Sequence, residues 1–152
     1  MLDLFEELVV LVDALESSGV EYAVCGGLAM AVWGSPRSTI DIDLLIEPAA
    51  LAKVEEIAAR LGYRFKANPM SFSSGAIVIH RVTKIDPDGG DTLMLDLLLV
   101  TPSVAQAWAT RTRVEWDRGT ISVVSREGLI HLKSFRGSGT DADDIKKLRG
   151  EV

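Results

Sequence analysis

The sequence predicts an α+β fold, a mixed and twisted sheet with flanking helices, and three observations carry that prediction. Apolar residues recur at helical spacing over 2–15 and again over 51–61. Two β-rich runs, 76–85 and 92–100, flank Asp86-Pro-Asp-Gly-Gly-Asp91, a cluster of turn formers that makes them an antiparallel hairpin. Between the helical stretches lies a short apolar strand, 20–25, that stops at Gly26-Gly27, and a second apolar strand, 40–46, that carries two acids.

In chain order, Leu4/Phe5, Leu8/Val9, Leu11/Val12 and Leu15 form one face of an amphipathic helix, which Gly19 stops. Residues 27–33 are rich in Ala, Leu and Met, and read as a helix starting at the glycines. Pro48 suits the first turn of a helix buried through Leu51, Val54, Ile57/Ala58 and Leu61, with Gly62 as its stop. A helix-to-strand connection follows at 63–66, and the polar, turn-forming segment 68–75 reads as a loop bordering a pocket. A short helix at 103–110 precedes a second hairpin, 113–116 with 120–124. The last section is helical, with Ser125 capping 127–135, a break at Gly137-Ser-Gly139, and a final helix whose Asp141 and Asp144 suit its start and Lys146, Lys147 and Arg149 its end.

A chain of 152 residues, 47% of them hydrophobic, fits a single domain, 1–152, with its C-terminal helices at about 126–150. The net charge of -6 leaves no overall basic field, so a nucleic acid would need a local patch. The one cysteine, Cys25, excludes an internal disulfide and reads as a small buried hydrophobe. The first residues are acidic where a secretory signal is basic, and no run of eighteen apolar residues occurs, so a cytoplasmic protein without a membrane partner is expected.

The chemistry sits in Ile40-Asp-Ile-Asp-Leu-Leu-Ile46. A period of two puts Asp41 and Asp43 on one face of a largely apolar strand. Like charges that close are costly unless a cation lies between them, and oxygen-bound divalent cations supply that charge; an edge strand with its acids in water is the plain alternative. Gly26 and Gly27 allow close approach of backbone N–H groups to a phosphate. Asp96 is the one charge in an apolar run, 94–100, and must be neutralised either by Arg81, which a symmetric hairpin places opposite it, or by a metal. His80 and His131 have no spacing partner, and Arg111 and Arg113 read as solvated edge charges.

Thirteen residues separate Gly27 from Asp41, and Pro36-Arg37-Ser38-Thr39 precedes the acidic strand. In this the chain resembles nucleotidyltransferases of the DNA polymerase β-like superfamily, whose signature is a Gly-Gly or Gly-Ser pair followed by an Asp-x-Asp strand. The Pro-Arg-x-Thr-x-Asp-x-Asp form is most similar to abortive-infection nucleotidyltransferase toxins and their minimal relatives. The match covers about 20–46 well and the rest loosely. The resemblance implies a nucleotidyltransferase-like fold that moves a nucleotide from a nucleoside triphosphate such as ATP to a hydroxyl. It makes Asp96 the third carboxylate, with Asp41, Asp43 and Asp96 as catalytic residues and ligands of two Mg²⁺ ions, or Mn²⁺ in their place. Gly26, Gly27, Arg37, Thr39 and Lys133 would contact the nucleotide, although Thr39 could equally be a structural hydroxyl. Lys133 with Asp141-x-x-Asp144 looks like the C-terminal elements of the abortive-infection relatives, which suggests a toxin–antitoxin partner. Leu28 stands where the family has a small polar residue and Trp33 where it often has His. The acceptor is left open between a protein, an RNA end and a small alcohol, and a catalytically inactive module binding a nucleotide or a partner protein is the competing expectation.

Overall fold

The computed structural model describes residues 2–36, 39–137 and 139–150. Helix α1, Leu4–Ser17, begins where the Asp3 carboxylate accepts from the Glu6 N–H at 3.0 Å and buries Leu8, Leu11, Val12 and Leu15. Strand β1, Ala23–Cys25, runs directly into helix α2, Gly26–Val32. Strand β2, Asp41–Ile46, leads through a 3₁₀ turn opened by Pro48 into helix α3, Leu51–Arg60, buried through Val54, Ile57 and Ala58. Strands β3, Tyr63–Lys66, and β4, Met70–Phe72, precede the long hairpin of β5, Ile77–Ile85, and β6, Thr92–Leu99. Helix α4, Ala105–Ala109, the hairpin β7, Thr112–Trp116, with β8, Gly119–Val123, and helices α5, Arg126–Arg136, and α6, Gly139–Leu148, complete the chain.

The strands form one mixed eight-stranded sheet in the order β3-β5-β6-β2-β1-β8-β7, with β4 also paired to β5. The pairs β2–β6 and β1–β8 are parallel, and the remaining pairs are antiparallel. A parallel neighbour to β2 needs a long crossover, and the segment from α3 through β5 supplies it. One face of the central strands carries Val24, Ile42, Leu44, Leu95 and Leu97, all at most 1% exposed. Helix α1 packs on β2 and against α3, and its Leu8 lies beside Val24 on that face. The opposite face carries the acids and meets α5. The predicted α+β class and mixed sheet are therefore what the chain adopts.

The structure differs from the sequence expectation in two segments that share one cause. Residues 63–66 are strand β3, and the expected loop at 68–75 contains strand β4 and a 3₁₀ turn. Both lie against β5, whose length of nine residues offers partners to two short strands in succession. The reversal between β4 and β5 passes through Ser73, Ser74 and Gly75, each with positive φ, a compact turn that the run of serines and glycine permits. Among the described residues no helix is long and apolar enough to cross a membrane.

The C-terminal helices are joined by a buried charge cluster. Ser125 caps α5 by accepting from the Gly128 N–H at 2.9 Å, and Gly137, at φ 68, ends it in the left-handed region. Four residues before that end, the Lys133 ammonium donates to Asp144 Oδ2 at 2.9 Å and lies 3.6 Å from Asp141 Oδ1, with all three side chains at most 5% exposed. Lys133→Met removes the cation from beside two buried carboxylates. The expected outcome is a loss of about 3 to 5 kcal/mol in denaturant unfolding, of which Lys133→Met/Asp144→Leu regains a large part.

Candidate active site

The site is built by strand register. Parallel pairing sets Asp43 beside Asp96 and Asp41 beside Met94. Antiparallel pairing sets Cys25 beside Asp43 on one side and Arg81 beside Asp96 on the other. Cys25, Asp43, Asp96 and Arg81 thus form one row across β1, β2, β6 and β5, with Asp41 two residues from Asp43 on the same face. Of the two explanations that the sequence allows for Asp96, the structure shows the ion pair: Asp96 accepts from Arg81 Nε at 2.7 Å and Arg81 Nη2 at 2.9 Å, while Asp43 lies beside it on the other side. Its side chain is 6% exposed and that of Arg81 30%.

This crowding is visible in proton affinities. Burial first, then the charges of Asp96 and Asp41, push the Asp43 carboxyl up to about 7, against the opposing fields of Arg136 and Lys133. Burial and Asp96 also raise Asp41, while Arg81 and Arg136 oppose the rise. The Oδ1 atom of Asp41 is buried without a hydrogen-bond partner.

The glycines close the site from the side of β1. Gly26 has φ +64, and a Cβ there would lie 2.1 Å from Asp43 Oδ2, so both conformation and space demand glycine. A Cβ on Gly27 would lie 2.8 Å from Thr39 Oγ1. Thr39 in turn donates from Oγ1 to the Asp41 carbonyl at 3.3 Å, holding the entrance to β2. Cys25 is fully buried beside the row, and burial pushes its thiol well up.

A small cleft lined by Gly26, Asp43, Leu98, Leu129, Lys133 and Arg136 opens onto the row. Lys133 reaches it, but its ammonium is engaged with Asp144 and Asp141. Arg37 lies outside the described residues. The sequence reading did not single out Arg136, although it follows Lys133 by three residues and therefore shares its helix face. A larger groove of about 570 Å³ lies elsewhere, between Glu16, Tyr22, Arg111, Arg113 and Ser122. Its arginines are already paired with Glu21 and Glu16, so size alone does not make it the reacting site.

Among the described residues no three His, Cys, Asp or Glu side chains are placed so that together they could hold a metal ion. The free donors of the row are Asp43 and the orphaned oxygen of Asp41, since Asp96 is bridged to Arg81. Hard carboxylate oxygens, one of them buried and unsatisfied, are the donor type taken by a cation such as Mg²⁺ that keeps part of its coordination for water or substrate oxygens.

No family model and no curated protein matches the sequence. Solved structures do match. A candidate nucleotidyltransferase from Thermotoga maritima superposes with a TM-score of 0.62 at 20% identity, over 96% of this chain and 92% of that one. An antigenic nucleotidyltransferase-like protein from Paracoccidioides brasiliensis gives 0.51 at 25% identity, over 93% and 74%. The lincosamide antibiotic adenylyltransferase LnuA, with lincomycin bound, gives 0.58 at 16% identity, over 97% of each chain. The chain therefore has the nucleotidyltransferase fold over nearly its full length.

Two outcomes test this geometry. Between the ordinary carboxylate range and about pH 7 the folded protein holds a proton on Asp43 that the unfolded chain has released, so the metal-free protein loses stability as pH rises through that window. Melting temperatures from pH 4 to 8 should fall for the wild type and fall less for Asp43→Asn, which should be the more stable of the two at pH 8. Gly26→Ala should drive a methyl group into the Asp43 carboxylate and lower the melting temperature, and Asp43→Ala in the same chain should restore much of the loss.

Proposed function

We propose that the protein is a metal-dependent nucleotidyltransferase, with residues 1–152 as one catalytic unit, that moves a nucleoside monophosphate from a nucleoside triphosphate to a hydroxyl acceptor. The observation that carries this reading is the placement of Asp43 between Asp96 and Gly26, with the orphaned Asp41 oxygen on the same face. In the reaction an acceptor oxygen loses its proton and bonds to the α-phosphorus as the bond to pyrophosphate breaks. Two Mg²⁺ ions, or Mn²⁺, would supply the positive charge that offsets the negative charge on the attacking and leaving oxygens. Asp41 and Asp43 would hold both ions, and Asp96 would join the one nearer the acceptor. Gly26 and Gly27 would offer backbone N–H groups to the phosphates, although Asp43 and Thr39 fill the space where their side chains would be; Thr39 fixes the start of the acidic strand, and Arg37 and Lys133 remain candidate phosphate contacts. Of these, Lys133 would first have to loosen its bond to Asp144.

The acceptor is a protein hydroxyl, an RNA end or a small alcohol. The similarity to a lincomycin-bound adenylyltransferase supports ATP as donor and keeps the small alcohol in view. A toxin–antitoxin role rests on the resemblance of Lys133 and Asp141-x-x-Asp144 to the abortive-infection elements. One observation favours a second reading, an inactive module that binds a nucleotide or a partner protein: Arg81 already neutralises Asp96 without metal.

Incubation with each labelled triphosphate, Mg²⁺ or Mn²⁺ and cell extract should transfer label and release pyrophosphate. Asp41→Asn and Asp43→Asn should abolish transfer while circular dichroism stays unchanged. Absence of transfer and of pyrophosphate under all these conditions would favour the inactive module.

A further inference from the structure

The cations around the acids are not equivalent. A triphosphate approaching three carboxylates meets strong repulsion, so the site needs positive charge that is not already committed. Arg81 is committed, with both hydrogen bonds of its fork on Asp96. Lys133 is committed too, since its buried ammonium holds Asp144 at 2.9 Å and faces Asp141 at 3.6 Å.

Arg136 differs in both respects. It lines the same cleft as Gly26 and Asp43, yet its side chain is 46% exposed. The ion pair that it makes, Nε to Asp141 Oδ2, is 3.9 Å long, beyond hydrogen-bond distance. Asp141 is meanwhile shared with Lys133, which weakens its hold on Arg136 further. A planar guanidinium with unused donors, half exposed in the cleft that Asp43 also lines, matches the geometry of phosphate oxygens.

We propose that Arg136, alone among the described cations around the acids in having uncommitted donors, grips the triphosphate, donating from its fork to phosphate oxygens of a nucleotide held at Asp41 and Asp43. The assignment rests on the nucleotidyltransferase reading above. Lys133 then acts as a positioning residue, because its bonds to α6 fix Asp141 and leave the guanidinium at the mouth of the cleft.

Calorimetry with Mg²⁺ and each of the four ribonucleoside triphosphates and monophosphates tests the assignment on the wild type, Arg136→Gln and Arg136→Lys. For the triphosphate that the wild type binds best, Arg136→Gln should weaken affinity about tenfold and Arg136→Lys should regain part of it. Monophosphate affinity and the unfolding midpoint without ligand should stay unchanged. Equal triphosphate affinity in wild type and Arg136→Gln would overturn the role of Arg136 and leave the nucleotidyltransferase reading standing. Equal weakening for both ligands, with a lowered midpoint, would overturn it in favour of a structural residue. A wild type that binds no triphosphate would overturn both.

Discussion

The structure depends on the repulsion between Asp43 and Asp96, set side by side on parallel strands in the middle of an apolar sheet. Nothing about packing requires acids there, since the positions that flank them, Ile42, Leu44, Leu95 and Leu97, are wholly buried hydrocarbon. Much of the surrounding architecture serves to tolerate that repulsion. Arg81 grips Asp96 from the neighbouring strand, Lys133 and Arg136 bring positive charge from α5, and burial first, with the acids beside it, pushes the Asp43 carboxyl up to about 7. A cluster that costs stability in the folded, metal-free state is what a site for a cation and a polyanionic substrate would look like before either arrives.

The topology explains why the cluster can exist at all. Asp41 and Asp43 come from one strand, but Asp96 reaches them only because β6 returns parallel to β2 after the excursion through α3, β3, β4 and β5. The same excursion delivers Arg81, since β5 and β6 form a hairpin whose register pairs it with Asp96. At the other edge of the row, β1 ends in Gly26, whose missing side chain leaves the Asp43 carboxylate the space it occupies. Helix α5 then covers the acidic face, and Lys133 ties it to α6 by burying one cation against two acids.

Much of this was legible in the sequence because it follows local rules. The period of two in Ile40-Asp-Ile-Asp fixes a shared face for its acids, and the turn cluster at 86–91 fixes the hairpin register that sets Arg81 opposite Asp96. Strands β3 and β4 were less legible, because their identity comes from the exposed edge of β5 and not from their own composition. The side-by-side placement of Asp43 and Asp96 is a parallel pairing between segments more than fifty residues apart, so only the family resemblance pointed to it. For Lys133 the resemblance named a residue that the structure buries in an ion cluster, whereas Arg136, one turn further along α5, occupies the cleft mouth. Its exposure depends on how α6 folds back, which no local pattern encodes.

The central claim is that these carboxylates are arranged to accept a divalent cation. The most direct measurement is the melting temperature at pH 8 as Mg²⁺ or Mn²⁺ is raised, for the wild type and for Asp43→Asn. A cation that binds only the folded state stabilises it in proportion to the logarithm of its concentration above the dissociation constant. The account predicts a rising midpoint for the wild type and a flat one for Asp43→Asn. Equal responses in the two proteins, or none in either, would contradict it.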